Sequence, residues 1–274
     1  MKVSKKLQLL SLLLVAITFN ACANPKKESS QASTENSANQ PTQVKQTVKA
    51  SSPLHAELNK AKAAGKAVFV VVTGTGASDL NKAMSVAKNA TNIYKNAVVI
   101  QMNRDLPVNA DLVSEWGLSG APLPLILSIS PKGYATGGYT FADATANKIA
   151  ALVPSPKMDE VYAAINNKKS TFIIVSKKSN TDKAGILANC KSAATQLKNN
   201  VAIIEIDLAD PKEAAFIKQL NLKNSPNTTA VSVLNASGQT TGTFNGKVVV
   251  TELVSAATKV IKSSCCPSGS GSGC

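Results

Sequence analysis

The chain is short of the residues that carry most protein chemistry. Its 274 residues include one histidine, His55, and one arginine, Arg104. A single histidine excludes a histidine-cluster metal site and an HExxH zinc motif. A Ser-His-Asp hydrolase would have to be built on His55, and no nucleophile elbow is in view. A lone arginine, with aromatics at only 4%, excludes the arginine clusters and interleaved rings of nucleic-acid-binding surfaces, so no nucleic-acid partner is expected. Between Cys22 and Cys190 there is no cysteine at all. Acidic residues are also scarce, 16 against 30 basic ones, giving a formal charge of +14. Nearly all of the positive charge is lysine, which describes a soluble lysine-rich surface with at most weak attraction to anionic lipid or envelope polymers.

What is present begins with an export signal. Lys2, Lys5 and Lys6 form a positive n-region, and Leu7 to Phe19 is an apolar run too short for a permanent membrane span. Two processing readings stand. Ala21-Cys22-Ala23 is an A-x-A cleavage site. FNAC (19–22) resembles a bacterial lipobox, which would make Cys22 the lipidated first residue of the mature chain, although Phe19 and Asn20 depart from its usual pattern. The polar tether that follows, rich in Ser, Gln, Asn, Thr and Lys, favours the lipoprotein and has too little apolar surface to fold. The expected organisation is signal peptide 1–21, anchor and tether 22–52, domain one 53–155, domain two 157–262 and a cysteine-rich tail 263–274.

The two domains say the same thing twice. AVFVVVTG (67–74) matches TFIIVSKK (171–178) at an offset of 104, and VVIQM (98–102) then falls on AIIEI (202–206) without a gap. Pro122 falls on Pro226. A shared hydrophobic pattern with fixed prolines indicates one fold built twice. Within the first copy the pattern predicts helix 54–64, strand 68–72, helix 78–95, strand 97–102, helix 107–116, strands 123–129 and 134–140, and helix 142–153. Leu80, Met84, Ala87 and Ile93 are its candidate buried positions in the second helix. A parallel βαβ followed by an antiparallel hairpin predicts an α/β fold, each copy a mixed sheet flanked by helices.

This order resembles the thioredoxin fold over most of the mature chain. GLSGAPLPLIL (117–127) is similar to the thioredoxin segment that carries a cis-proline before a central strand. The resemblance assigns that position to Pro122, with Ala121 before it, and in the second copy to Pro226, with Ser225 before it. It implies that these loops offer backbone to an extended peptide. Oxidoreductases of the family also carry CxxC where the first buried strand meets its helix. Here those stretches are TGTGASDL (73–80) and KKSNTDKA (177–184), and neither contains cysteine. TGTG is only the start of a phosphate-binding glycine pattern, and Asp79 would repel phosphate. It reads better as a helix entry capped by Ser78 or Asp79. Cys190, aligned with Val86, reads as a small buried apolar residue.

The remaining thiols crowd the end: Cys265, Cys266 and Cys274 in SSCCPSGSGSGC. A flexible Gly/Ser spacer lets Cys274 return to either neighbour. The tail reads as an idle terminus or linker scar, as an exchangeable disulfide, or as a thiolate site for a soft metal such as copper or zinc. The functional expectation is a non-enzymatic, envelope-anchored, periplasm-facing lipoprotein of the outer membrane that binds a protein or peptide and handles thiols with its tail. The alternatives are a thiol-disulfide oxidoreductase working from the tail and a soft-metal carrier.

Overall fold

The structure, a computed structural model, describes residues 52–222 and 227–261. Its organising elements are two strands without a wet face. Strand β1 (Ala67–Thr73) and strand β5 (Ser170–Ser176) are buried almost end to end. Such strands need cover on both sides, which is why their sequences are continuous apolar runs rather than alternating ones.

The first domain runs α1 (Pro53–Ala63), β1, α2 (Leu80–Ile93), β2 (Ala97–Asn103), a 3-10 turn (Pro107–Asn109), α3 (Ala110–Glu115), β3 (Leu125–Ile129), β4 (Ala135–Thr140) and α4 (Ala146–Ala150). The second runs α5 (Pro156–Asn166), β5, α6 (Lys183–Gln196), β6 (Val201–Asp207), α7 (Ala214–Gln219), β7 (Ala230–Leu234), β8 (Thr240–Asn245) and α8 (Val250–Thr258). The strand orders are β2-β1-β3-β4 and β6-β5-β7-β8. In each sheet the first pair is parallel and the other two pairs are antiparallel. The chain therefore folds as two tandem thioredoxin-like domains, each a mixed sheet flanked by helices.

Alternation along β1 divides the first core in two. Val68, Val70 and Val72 pack with Leu54, Met102, Leu112 and Ile129 on one face. Phe69 and Val71 pack with Ala83, Ala87, Ala90 and Ile149 on the other. The alanine stripe corrects the expected buried face of α2. Leu80 and Met84 are only partly buried, and Ile93 is exposed. Small side chains let this helix lie close against the sheet.

The repeat is not gapless. The second domain follows the first at an offset of 103 at β1 and β5 (67 to 170), 104 at β2 and β6 (97 to 201), and 105 at β3 and β7 (125 to 230). One residue is added in the turn Leu197–Asn200, where Lys198 and Asn199 adopt positive φ. Another is added between α7 and β7. Cys190 therefore stands over Ala87 rather than Val86, and both are fully buried. The matched pair Pro122 and Pro226 is offset by one from the strand register.

The domains meet at Asp159 of α5. Its carboxylate accepts a hydrogen bond from the Lys132 amide, in the β3–β4 turn of the first domain, at 3.0 Å. Burial pushes this carboxyl above its ordinary value, against the opposing pull of the Ser130 hydroxyl and the Lys132 amide. A raised carboxyl contributes most stability below its unfolded value and loses that contribution as pH rises through its folded value. Asp159→Asn keeps an acceptor for Lys132 without the charge. Its stability relative to the parent should rise from acid to neutral pH, and urea midpoints at the two conditions would check this.

Candidate functional site

The resemblance to the thioredoxin fold directs attention to the end of each sheet where β1 and β5 run toward their helices. In the first domain this mouth is built by Gly74–Asp79, the Arg104–Asp105 turn after β2, and the loop Leu118–Pro124. Asp105 occupies it. Its carboxylate accepts the Thr75 amide hydrogen, which holds its pKa below the usual carboxylate range with help from Arg104. A β-carbon on Gly74 would lie 2.8 Å from that carboxylate, so only glycine leaves room for it. The TGTG turn is thus filled by the protein's own anion. Asp79, expected as a side-chain cap, makes no capping bond. It sits at φ +58° and pairs with Lys82 at 2.6 Å.

Arg104 holds the opposite side. One guanidinium nitrogen donates to the carbonyls of Leu118, at 2.9 Å, and Ala121, and Nε lies 3.8 Å from Asp105. A planar, permanently charged donor fixes a loop this way where a lysine would not. The sequence reading passed over this residue. Its signal was its isolation as the only arginine in a chain rich in lysine.

Among the described residues the cis peptide is Leu123–Pro124, not Ala121–Pro122. The expected assignment followed the match between Pro122 and Pro226, which the true register breaks. Pro124 adjoins β3, and its carbonyl accepts from Phe141 at 2.8 Å, extending the hairpin ladder. The Ala121 carbonyl, expected to face a peptide, is taken by Arg104. Pro122 is exposed. Among the described residues no hydrogen bond engages the amide or carbonyl of Leu123.

The second mouth is closed differently. In strand register Thr229 stands where Pro124 stands, and both its amide (3.0 Å) and its hydroxyl (2.7 Å) donate to Asp182 at the start of α6. Ser225 and Pro226 lie outside the described residues, as do Cys22, Cys265, Cys266 and Cys274. Cys190 lies within them and is fully buried among Phe172, Ile174, Ile186 and Val248. Burial pushes its thiol up to about 12. Among the described residues no group of His, Cys, Asp and Glu is placed to hold a metal.

His55 has partners that the sequence did not reveal. Its Nδ1 lies 2.8 Å from Ser52 Oγ and its Nε2 lies 3.3 Å from Asp111. The resemblance to a hydrolase triad ends there. Ser52 caps α1 and is only 2% exposed. The second domain repeats the brace without a histidine. Ser155 caps α5 and donates to buried Glu213, which also accepts the Lys157 amide at 3.0 Å. The repetition marks a brace between the first and third helices of each domain.

No family model and no curated protein matches the chain. Solved structures with some similarity include the first two thioredoxin domains of Naumovozyma dairenensis Eps1p, at 13% identity over 72% of this chain and 92% of that one, TM-score 0.28. Another is the NTD_N/C domain of the alkylhydroperoxide reductase AhpF from Enterococcus faecalis, at 12% identity over 74% and 98%, TM-score 0.26. Zinc-bound human ERp44 gives 10% identity over 72% and 54%, TM-score 0.30. The fold assignment rests on strand order and pairing.

Arg104→Lys should loosen the Leu118–Pro124 loop and cost about 1.5–3 kcal/mol, the worth of hydrogen bonds to a charged donor. Urea unfolding gives the energy, and proteolysis at the loop locates it. Cys190 should resist a thiol reagent in the native chain and react only on unfolding, a difference visible in a Cys190→Ala variant titrated in both states.

Proposed function

We propose that the chain is an envelope-anchored thioredoxin-like protein without a catalytic dithiol, serving as a protein- or peptide-binding module. The reading is supported by a mouth whose helix entry holds Gly, Thr, Ala, Ser and Asp in place of thiols. The observation that carries it is Leu123, the residue before the cis-proline. Its unpaired amide and carbonyl can add one rung of β-ladder to an extended peptide. Leu106 and Val108, each 48% exposed, lie on the segment after Asp105 and supply apolar surface for a peptide side chain.

The anchor of this reading is Cys22, lipidated and held at the outer membrane facing the periplasm. Cys265, Cys266 and Cys274 add thiol handling at the far end of the chain. Replacing the three by serine separates the binding reading from the two alternatives. Insulin reduction abolished by that change would support a tail oxidoreductase, and near-stoichiometric copper or zinc lost with it would support a metal carrier.

Binding is tested in intact envelopes with a photo-crosslinking residue at Pro122. A discrete partner should be captured, and capture should fall when Leu106 and Val108 are both changed to lysine. Equal capture from a probe at exposed Lys191, on the back of α6, would sink the proposal.

A further inference from the structure

The end of the first sheet opposite the mouth carries a cleft of about 170 Å³ between α1, α3 and the β3–β4 turn. Its walls are Leu58, Val68, Leu112, Trp116 and Ile129. Val68, Leu112 and Ile129 are core residues, only 2–4% exposed. Lys62 and Lys66 stand on its rim with His55 and Glu115.

The second domain provides an internal control, because the same backbone surrounds the same place. In helix register His55 becomes Met158, Asn59 becomes Tyr162 and Lys62 becomes Ile165. In the third helix Leu112 becomes Phe216 and Trp116 becomes Leu220. The equivalence is confirmed at the turn. A β-carbon on Gly133 would lie 3.0 Å from Lys62 Cδ, and one on Gly238 would lie 3.0 Å from Ile165 Cδ1. In the second domain Met158, Ile165, Phe216, Leu220 and Leu234 belong to one packed apolar cluster. The first domain keeps the space and puts the Lys62 ammonium at its edge, where Lys66, matched by Lys169 in the second domain, already stands.

That exchange has a stability cost unless something else fills the site, since close-packed interiors lose contacts wherever a void opens. We propose that this cleft binds a small carboxylate with a compact apolar body, its ring or branched chain against Leu112, Trp116 and Ile129 and its carboxylate between Lys62 and Lys66. The size fits, since an apolar cavity of about 150 Å³ takes one benzene ring. The charge fits as well. Among the described residues neither lysine is in an ion pair, and Lys62 Nζ has only the Tyr134 ring, 5.9 Å from its centroid. His55 is already tied to Ser52 and Asp111 and serves as wall. Among the described residues Glu115 is the one carboxylate lining the cleft, and it favours an anion seated toward the two lysines.

Trp116 is the only tryptophan in the chain and lines the cleft, so its fluorescence reports occupancy directly. The probe is cyclohexanecarboxylate added to the full-length chain, with cyclohexanecarboxamide as the uncharged twin. The carboxylate should give a saturable change in emission that weakens with salt, and the carboxamide should bind roughly tenfold more weakly or worse. Lys62→Ile, which installs the second domain's residue, should reduce carboxylate affinity by a similar factor while circular dichroism stays native. No saturable change with the carboxylate, or equal affinity for the carboxamide, overturns the proposal. So does undiminished affinity in Lys62→Ile. The comparison of the two ligands on the unaltered chain decides the matter if that variant fails to fold.

Discussion

A strand with no wet face governs the architecture. β1 and β5 each lie between two other strands, and their side chains are apolar on both sides. Burying each Val, Ile or Phe stabilises by about 1.5–3 kcal/mol, so both faces of the sheet must be roofed. Helices α1 and α3 roof one face of the first sheet, and α2 and α4 the other. Once the helices are placed, the two ends of the sheet are what remain available. One end becomes the mouth and the other the cleft.

The duplication separates what the core requires from what the ends allow. Phe69 and Phe172 occupy equivalent places and are both fully buried. Ile149 and Leu253 do the same from α4 and α8. The ends have drifted. One mouth is held by Arg104 and Asp105, and the other by Asp182 gripping Thr229. The braces have drifted as well: His55 and Asp111 hold Ser52, while Glu213 alone holds Ser155. Loop and rim residues change at little cost to packing, which is why such differences collect there and why they carry function.

The chemistry follows from where sulfur is and is not. A buried thiol pushed up to about 12 is neither a nucleophile nor a ready metal ligand. The helix entry that would activate a thiol instead presents an amide to Asp105. What the first mouth retains is backbone, the amide and carbonyl of Leu123, which make no hydrogen bond among the described residues. Fold alone does not decide activity, so these particular groups bear the functional argument.

Hydrophobic period, proline placement and missing cysteines were enough to read two mixed sheets, their element order and the burial of Cys190. Those features are local, and burial forces them to show as pattern. The exact register was not legible, because a residue added in Leu197–Asn200 leaves the apolar runs looking aligned. A second residue, added between α7 and β7, breaks the match of Pro122 with Pro226 on which the expected cis bond at Ala121–Pro122 rested; the cis bond is Leu123–Pro124. Nor could the sequence pair Ser52 with Asp111 through His55, or Arg104 with the Leu118 and Ala121 carbonyls. These partners lie 14 to 59 residues apart in the chain and meet only when the sheet brings its ends together. The sequence by itself determined which surfaces must be buried, since transfer from water depends on side-chain type. Tertiary structure decided which polar groups find each other, since a hydrogen bond depends on direction and distance, and the folded backbone sets both.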